Sequence, residues 1–258
     1  MKILFVGDVF GRPGRTALEA VLPALRAEEG PFDFVVVNCE NAAAGFGMTE
    51  RLMNDMFALG VDVMTSGNHI WDKKDFVPVL DREPRVLRPA NYAAGSPGRG
   101  CGVFEKNGRR LCVLNLQGRA FMPPVDCPFR AADDALAQVC ADVVFVDFHA
   151  EATAEKIALA RYLDGRVSAL AGTHTHVQTA DDRILPGGTA YITDAGMTGG
   201  HGGVIGTKYD SVIPKFLTSI PSKFEVEETE SRLQGVVFDI DDETGRAFDI
   251  RRIDRISA

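Results

Sequence analysis

The chain has 258 residues and a formal net charge of −8, from 28 lysines and arginines against 36 aspartates and glutamates. Hydrophobic residues make up 45% of it and charged residues 25%, which is typical of a soluble globular protein and too apolar for a disordered one. The acidic balance argues against a protein that binds long nucleic acid by neutralising many phosphates.

Apolar, β-branched runs alternate with helical patterns at the start of the chain. Strands are predicted at 3–6, 34–37 and 61–64, with helices between them at 16–26 and 51–57. Pro23 is expected to kink or shorten the first helix, and Thr49 to cap the second. This alternation predicts an α/β sheet.

The rest of the chain adds two hairpins to the same alternation. The remaining elements are predicted as strands at 102–105, 110–114 and 143–146, a helix at 152–163, and strands at 167–170, 190–193, 235–240 and 247–250. Asn107-Gly108 is a strong signal for a tight turn between the first two of these strands. Without repeats, linkers or low-complexity tracts, residues 1–258 are predicted to form a single domain, with one mixed sheet or two packed sheets.

Three features indicate a cytoplasmic protein that does not enter a membrane. The apolar run before Asp8 is too short for the core of a signal peptide. No apolar stretch elsewhere is long enough to span a bilayer. The five cysteines are widely spaced, odd in number and contain no C-x-x-C motif, which argues against a disulfide framework or a thiolate zinc site.

Side chains that can bind metals follow five of the predicted strands. They are Asp8, Glu40 with Asn41, Asn68 with His69, His149, and His174 with His176. The C-terminal ends of strands in α/β sheets are where ligand sites gather. Taken alone, each of these motifs is more often part of a turn, or contains a polar residue whose hydrogen bonds are satisfied within the protein. Their joint occurrence, each after an apolar run, predicts a metal centre.

The types of side chain in these clusters indicate which metals would bind. Carboxylate, amide and neutral imidazole without thiolate suit Mn²⁺, Fe²⁺ or Zn²⁺ in a reactive rather than a structural site. Two such ions about 3.5–4 Å apart, sharing a carboxylate, orient a hydroxide and stabilise in-line displacement at phosphorus. The pattern therefore favours hydrolysis of a phosphate ester.

Two further segments are predicted to lie outside the metal centre. The glycine-rich residues 196–203 are expected to form a flexible rim over the site, because Gly206-Thr207-Lys208 lacks the residue order of a P-loop. Glu151, Glu155 and Lys156 are expected on the solvated face of the helix after His149.

The order of the motifs resembles that of the calcineurin-like metallophosphoesterases. The resemblance rests on Gly7-Asp8, Gly67-Asn68-His69, His149 and Gly172-Thr173-His174-Thr175-His176. Phe10 stands where that superfamily usually has a histidine, and Asn38-Cys39-Glu40-Asn41 stands where it usually has Gly-Asp. Both departures resemble the bacterial YmdB-type branch, as does Thr193-Asp194-Ala195-Gly196-Met197-Thr198-Gly199. That branch is associated with hydrolysis of cyclic nucleotides, notably 2′,3′-cyclic ones.

This resemblance implies a fold and a set of metal ligands. The fold would be a metallophosphoesterase-type β-sandwich of two sheets flanked by helices in α-β-β-α layers, with a dimetal site at the strand C-terminal ends. Seven residues would be ligands of two divalent ions, with iron or manganese favoured and zinc as the alternative. They are Asp8, Asn41 and His176 on one metal, Asn68, His149 and His174 on the other, and Glu40 between them.

The implied activity is hydrolysis of small cyclic nucleotides, with 2′,3′-cyclic nucleotides favoured. A hydroxide that bridges the metals would attack phosphorus, and His69 would act as the general acid. Two alternatives stay open: a phosphomonoesterase or nuclease with the same metals, and a regulatory or binding protein with residual phosphoesterase activity. The divalent ions would attract a small anionic phosphate despite the acidic total, and the Phe and Met residues could contribute to a homo-oligomer interface.

Overall fold

The computed structural model of the chain describes residues 1–139, 141 and 143–257. Within these residues the strands are β1 (Lys2–Val6), β2 (Asp8–Val9), β3 (Phe34–Asn38), β4 (Val63–Thr65), β5 (Cys101–Lys106), β6 (Arg109–Gln117), β7 (Val143–His149), β8 (Ala169–Thr173), β9 (Arg183–Ile184), β10 (Ala190–Ile192), β11 (Met197–Gly200), β12 (Ser231–Ile240) and β13 (Ala247–Ile256). The α-helices are α1 (Gly11–Glu28), α2 (Glu50–Ala58), α3 (Val77–Leu80), α4 (Pro128–Gln138), α5 (Thr153–Leu163) and α6 (Tyr209–Thr218), and a 3₁₀ turn at Lys74–Phe76 precedes α3.

The strands of the described residues form two sheets. The first has the order β2-β11-β12-β1-β3-β4, with β13 paired to β12, and the second has the order β5-β6-β7-β8-β10-β9. Strands β1, β3 and β4 run parallel in the first sheet, as do β6, β7, β8 and β10 in the second. In each sheet the C-terminal ends of these parallel strands therefore share one edge.

The two sheets pack face to face, and helices cover their outer faces. Between the sheets, the ring of Phe145 lies 4.8 Å from that of Phe5 and 5.7 Å from that of Phe238. Helices α1 and α2 bury apolar residues against the first sheet, and α4 and α5 do so against the second. The predicted α-β-β-α sandwich is confirmed, and burial on both faces explains why strands such as β1 are continuously apolar.

Local signals in the sequence identify several element boundaries correctly. The Thr49 hydroxyl accepts a hydrogen bond from the backbone nitrogen of Leu52 at 3.4 Å and so caps α2. Asn107 and Gly108 both have positive φ, 52° and 76°, as a type I′ hairpin turn requires. Helix α1 is longer than predicted and continues through Pro23, since its buried face packs along the sheet on both sides of the proline.

The prediction of a flexible rim at 196–203 is wrong for residues 197–200. Met197–Gly200 is β11, a buried strand between β2 and β12. Its glycine content reflects close backbone approach, because a Cβ on Gly200 would lie 2.2 Å from the carbonyl oxygen of Glu227. Among the described residues, no helix is both long and apolar enough to cross a membrane.

Candidate metal centre

The eight side chains predicted from the sequence meet at the edge where the parallel strands of both sheets end. Asp8, Glu40 with Asn41, and Asn68 with His69 follow β1, β3 and β4 of the first sheet. His149 ends β7, and His174 and His176 follow β8 of the second sheet. Contacts of 4.0 Å or less join all eight residues into one cluster.

His149 is the centre of the first half of the cluster. Its Nε2 lies 3.0 Å from Glu40 Oε1, 3.1 Å from Asn68 Oδ1 and 3.0 Å from His174 Nδ1. One ring nitrogen carries at most one hydrogen, so it cannot satisfy three such neighbours, whereas a cation could share their lone pairs. Glu40, His149 and His174 each offer a ligand atom within 4.8 Å of the others and could hold a metal ion.

The charges around His149 support the same interpretation. Burial would lower its pKa, but the carboxylate of Glu40 outweighs this and raises the pKa to about 9. The pKa of His174 falls to about 3, because that ring is buried and close to His149. In the metal-free protein, a proton on His149 therefore supplies the positive charge that Glu40 requires, and a metal ion would replace it.

Asp8, Asn41 and His176 form the second half of the cluster. Asp8 Oδ2 accepts a hydrogen bond from the backbone nitrogen of His174 at 3.0 Å and lies 4.0 Å from His176 Nε2. The side-chain amide of Asn41 lies 3.3 Å from the same Nε2. His176 Nδ1 is bonded to the carbonyl of Ile205 at 3.0 Å, so Nδ1 carries the hydrogen and Nε2 presents its lone pair.

One oxygen of Asp8 provides the sharpest test of whether a metal fits. Among the described residues, Asp8 Oδ1 is the buried side-chain polar atom without a hydrogen-bond partner. Burial raises the pKa of this carboxyl despite the nearby His176 and His149. A buried oxygen without a partner is costly, and a divalent cation would satisfy it. The second half of the cluster therefore also offers ligand atoms that fit a metal ion.

The sequence interpretation missed an outer layer of polar residues that orients His149. The Thr173 hydroxyl lies 3.0 Å from His149 Nδ1 and donates to Asp147 Oδ1 at 2.7 Å. Asp147 also accepts hydrogen bonds from Asn38 and Thr65, and burial raises its pKa to about 7. These contacts fix the ring nitrogen that faces the cluster. The available signal was a polar residue inside or at the end of each otherwise apolar strand.

A second feature that the sequence interpretation missed is the pair Lys156 and Asp194, which holds the turn that carries His174 and His176. His174 and His176 have φ of 99° and 63°, which non-glycine residues seldom adopt. Asp194 Oδ2 accepts from the Thr175 hydroxyl at 2.7 Å and backbone nitrogen at 3.2 Å, and from Lys156 Nζ at 2.7 Å. The Lys156 side chain is fully buried and forms an ion pair with Asp194, so the prediction that it is solvated is wrong.

His69 and Phe10 line a cavity of about 290 Å³ that opens onto the cluster. His69 Nδ1 lies 2.9 Å from Asp72 Oδ2, which leaves Nε2 as the ring atom available to a ligand. Phe10 cannot act as a ligand, and its ring instead packs edge-on against His176 with centroids 5.4 Å apart. Glu40, Asn41, His174 and His176 also line the cavity, whereas Asp8 and His149 are fully buried.

Comparison with known proteins yields one family and several full-length relatives. The model of the YmdB-like protein family matches residues 4–253. The 2′,3′-cyclic-nucleotide 2′-phosphodiesterase of Bacillus subtilis (strain 168) is 50% identical over 255 residues, which cover 98% of this chain and 96% of that protein. A crystal structure of a hypothetical protein from Thermus thermophilus has a TM-score of 0.94 and 42% identity, covering 100% of both chains. A crystal structure of a novel phosphatase from Mycoplasma pneumoniae has a TM-score of 0.94 and 36% identity, covering 99% of this chain and 93% of that one.

Proposed function

The chain belongs to the YmdB-like protein family, and from this we propose that it is a metal-dependent phosphodiesterase that hydrolyses small cyclic nucleotides. We favour 2′,3′-cyclic nucleotides as substrates because of the activity named for the Bacillus subtilis relative. The observation that carries the proposal is the meeting of buried carboxylate, amide and imidazole ligand atoms at the floor of a cavity of about 290 Å³. A cavity of that size is near the lower end of those that hold small ligands, which suits a mononucleotide.

The cluster would hold two divalent metal ions. The assignment is Asp8, Asn41 and His176 on one ion, Asn68, His149 and His174 on the other, and Glu40 between them. The buried oxygen of Asp8 without a partner supports the first group. The neighbours crowded around His149 Nε2 support the second. The absence of thiolate from the set favours iron or manganese, with zinc as the alternative.

The bound metals would supply Lewis acidity and a water molecule of lowered pKa as the nucleophile. The residues around the cavity would supply and orient the proton donor. His69 lines it without joining the ligand contacts through its ring, so it would donate a proton to the leaving oxygen. The carboxylate of Asp72 accepts the Nδ1 hydrogen of His69 and holds the ring in place for that transfer.

The compartment and subunit count complete the proposal. Cys39, Cys101, Cys112 and Cys127 are free thiols, which suits a reducing cytoplasm. Leu217 and Ile220, at the end of α6 and just after it, are exposed and could contribute to a homo-oligomer interface. Light scattering after gel filtration would determine the subunit count.

A substrate panel tests the proposed activity. Metal-loaded protein would be assayed with 2′,3′-cAMP, 3′,5′-cAMP, p-nitrophenyl phosphate and a short single-stranded RNA. We expect 2′,3′-cAMP to give the highest kcat/KM. Preference for the monoester would favour a phosphomonoesterase, in line with the phosphatase from Mycoplasma pneumoniae, and preference for RNA would favour a nuclease. Either preference would overturn the assignment of a cyclic-nucleotide phosphodiesterase.

A further inference from the structure

We propose that Phe46 and Phe224 form a stacking subsite for the base of the nucleotide substrate. The inference rests on the proposed function, which places the phosphate on the metal cluster, and it adds where the other end of the substrate lies. The cavity has a polar floor next to the cluster and an apolar wall that contains Phe46, Ile205 and Phe224. A cyclic nucleotide has the same division, with an anionic phosphate at one end and a flat aromatic base at the other.

Both phenylalanine rings are accessible to a ligand. Phe46 and Phe224 are each 38% exposed, although most large apolar side chains of the fold are buried in its cores. Ile205 in the same wall is 53% exposed. A cluster of exposed apolar side chains beside a polar site is typical of a ligand-binding groove.

Phe46 is fixed in position relative to His69. It lies between Gly45 and Gly47, whose φ values of 91° and 76° make a tight loop. A Cβ on Gly47 would lie 3.3 Å from the carbonyl oxygen of His69 and 2.9 Å from Lys73 Cγ, so the loop packs directly on the turn that carries His69. The rings of Phe46 and His69 are 4.9 Å apart, edge to face. A base on Phe46 would thus lie beside the proposed general acid.

Phe224 comes from residues 201–230, which join β11 to β12. Two residues later, Val226 packs on the same loop as Phe46, because a Cβ on Gly45 would lie 3.5 Å from Val226 Cγ2. The backbone nitrogen of Glu227 donates to the carbonyl of Gly206 at 2.8 Å and ties this segment to the cavity wall. The ammonium of Lys215 lies 5.0 Å from the centroid of the Phe224 ring. The segment therefore brings a second aromatic ring to the wall.

The wall would accept all four bases. Stacking on an aromatic ring tolerates any base, since every base has a π face. Among the described residues that line the cavity, Asn41 carries the one side-chain amide, and it lies on the floor against His176. Phe46, Ile205 and Phe224 carry no side-chain donor or acceptor and so cannot read a base edge, although Glu151, Thr175 and Thr207 also line the cavity. We expect similar KM values for the 2′,3′-cyclic forms of adenosine, guanosine, cytidine and uridine.

Alanine variants separate base recognition from chemistry at the metals. Phe46→Ala and Phe224→Ala would be assayed on 2′,3′-cAMP and on glycerol 1,2-cyclic phosphate, a five-membered cyclic diester without a base. For each variant we expect KM for 2′,3′-cAMP to rise about 5- to 150-fold, and kcat/KM for the glycerol compound to stay within about twofold. Phe46→Tyr, which keeps the ring, should restore KM. Phe248→Ala is the control, because Phe248 lies on β13, is 67% exposed and does not line the cavity. It should change the kinetic constants for neither substrate.

Equal loss on both substrates would overturn the proposal, because it would make the rings structural supports of the metal centre. Unchanged KM for 2′,3′-cAMP would overturn it as well. Calorimetric binding of adenosine 3′-monophosphate and of inorganic phosphate to the metal-loaded protein tests the subsite even if no cyclic diester is hydrolysed. The variants should weaken the nucleotide and leave phosphate unchanged, whereas equal effects on both ligands would contradict a base subsite. Failure of the proposed function would instead show as no turnover of any cyclic diester by the unaltered protein.

Discussion

A single methyl group added at Gly67 should destroy the metal centre. An ideal Cβ at this position would lie 2.3 Å from His149 Nε2 and 2.4 Å from Glu40 Oε2. Carbon requires roughly 3.5 Å to such atoms, so Gly67→Ala must displace both side chains by about 1 Å. Gly67 does not have the positive φ that disfavours alanine, so the expected effect comes from this clash alone.

The size of the effect follows from what the methyl group displaces. Overpacking costs about 1–3 kcal/mol of folding free energy, which a protein of ordinary stability survives. Mutating a residue that only hydrogen-bonds a metal ligand typically lowers metal affinity roughly 10–100-fold. Displacing two proposed ligands themselves should lower it by more. Metal content after dialysis, measured by mass spectrometry, should therefore fall while circular dichroism shows a folded protein. Activity on 2′,3′-cAMP should fall with the metal.

Gly95→Ala serves as the control for a general glycine effect. Gly95 has a φ of 85° with nothing within 4 Å of its Cβ position, so alanine there costs backbone strain of about 1–2 kcal/mol without touching the centre. It should lower the melting temperature and keep its metal. Full metal content and activity in Gly67→Ala would refute the roles given to Glu40 and His149.

Three further variants or conditions test other parts of the site. His69→Ala should keep its metals and lower kcat by about 10²–10⁴-fold, as measured by metal analysis and steady-state kinetics. Asp194→Ala should cost about 3–5 kcal/mol in chemical denaturation, because it leaves the buried Lys156 unpaired. Adding Lys156→Met should recover stability but not metal affinity if Asp194 positions the histidine turn, and recovery of both would contradict that role. Metal affinity should rise about tenfold per pH unit and level off near pH 9, because His149, with a metal-free pKa of about 9, must lose its proton to bind. Titration calorimetry in two buffers at pH 7 should show release of about one proton, and no release would contradict the assignment.

The residues of the candidate site could be predicted from the sequence, but the buried residues that hold them in place could not. A polar side chain directly after an apolar run is a local pattern, and parallel strands carry such ends to one edge, so residues such as Glu40 and His149 could be found. Lys156 could not be recognised as buried, because its partner Asp194 is distant in the chain. Its position on a helix with charged neighbours looked solvated.

The same limit explains the glycine-rich strand. A run such as Met197–Gly200 has the composition of a loop, and its pairing with β2 and β12 depends on chain segments far from it in sequence. Phe224 carried no local signal either, since the fold of residues 201–230 brings it to the cavity. Tertiary contacts rather than local propensity decide these positions.

A metal titration tests directly whether this chain is, as proposed, a phosphodiesterase that requires two metal ions. Chelated protein would be titrated with Mn²⁺ under anaerobic conditions while hydrolysis of 2′,3′-cAMP is followed. We predict no turnover before metal is added, and activity that rises and levels off once two ions are bound per chain. Turnover by the chelated protein, no turnover at any metal content, or a plateau at one ion per chain would contradict this prediction.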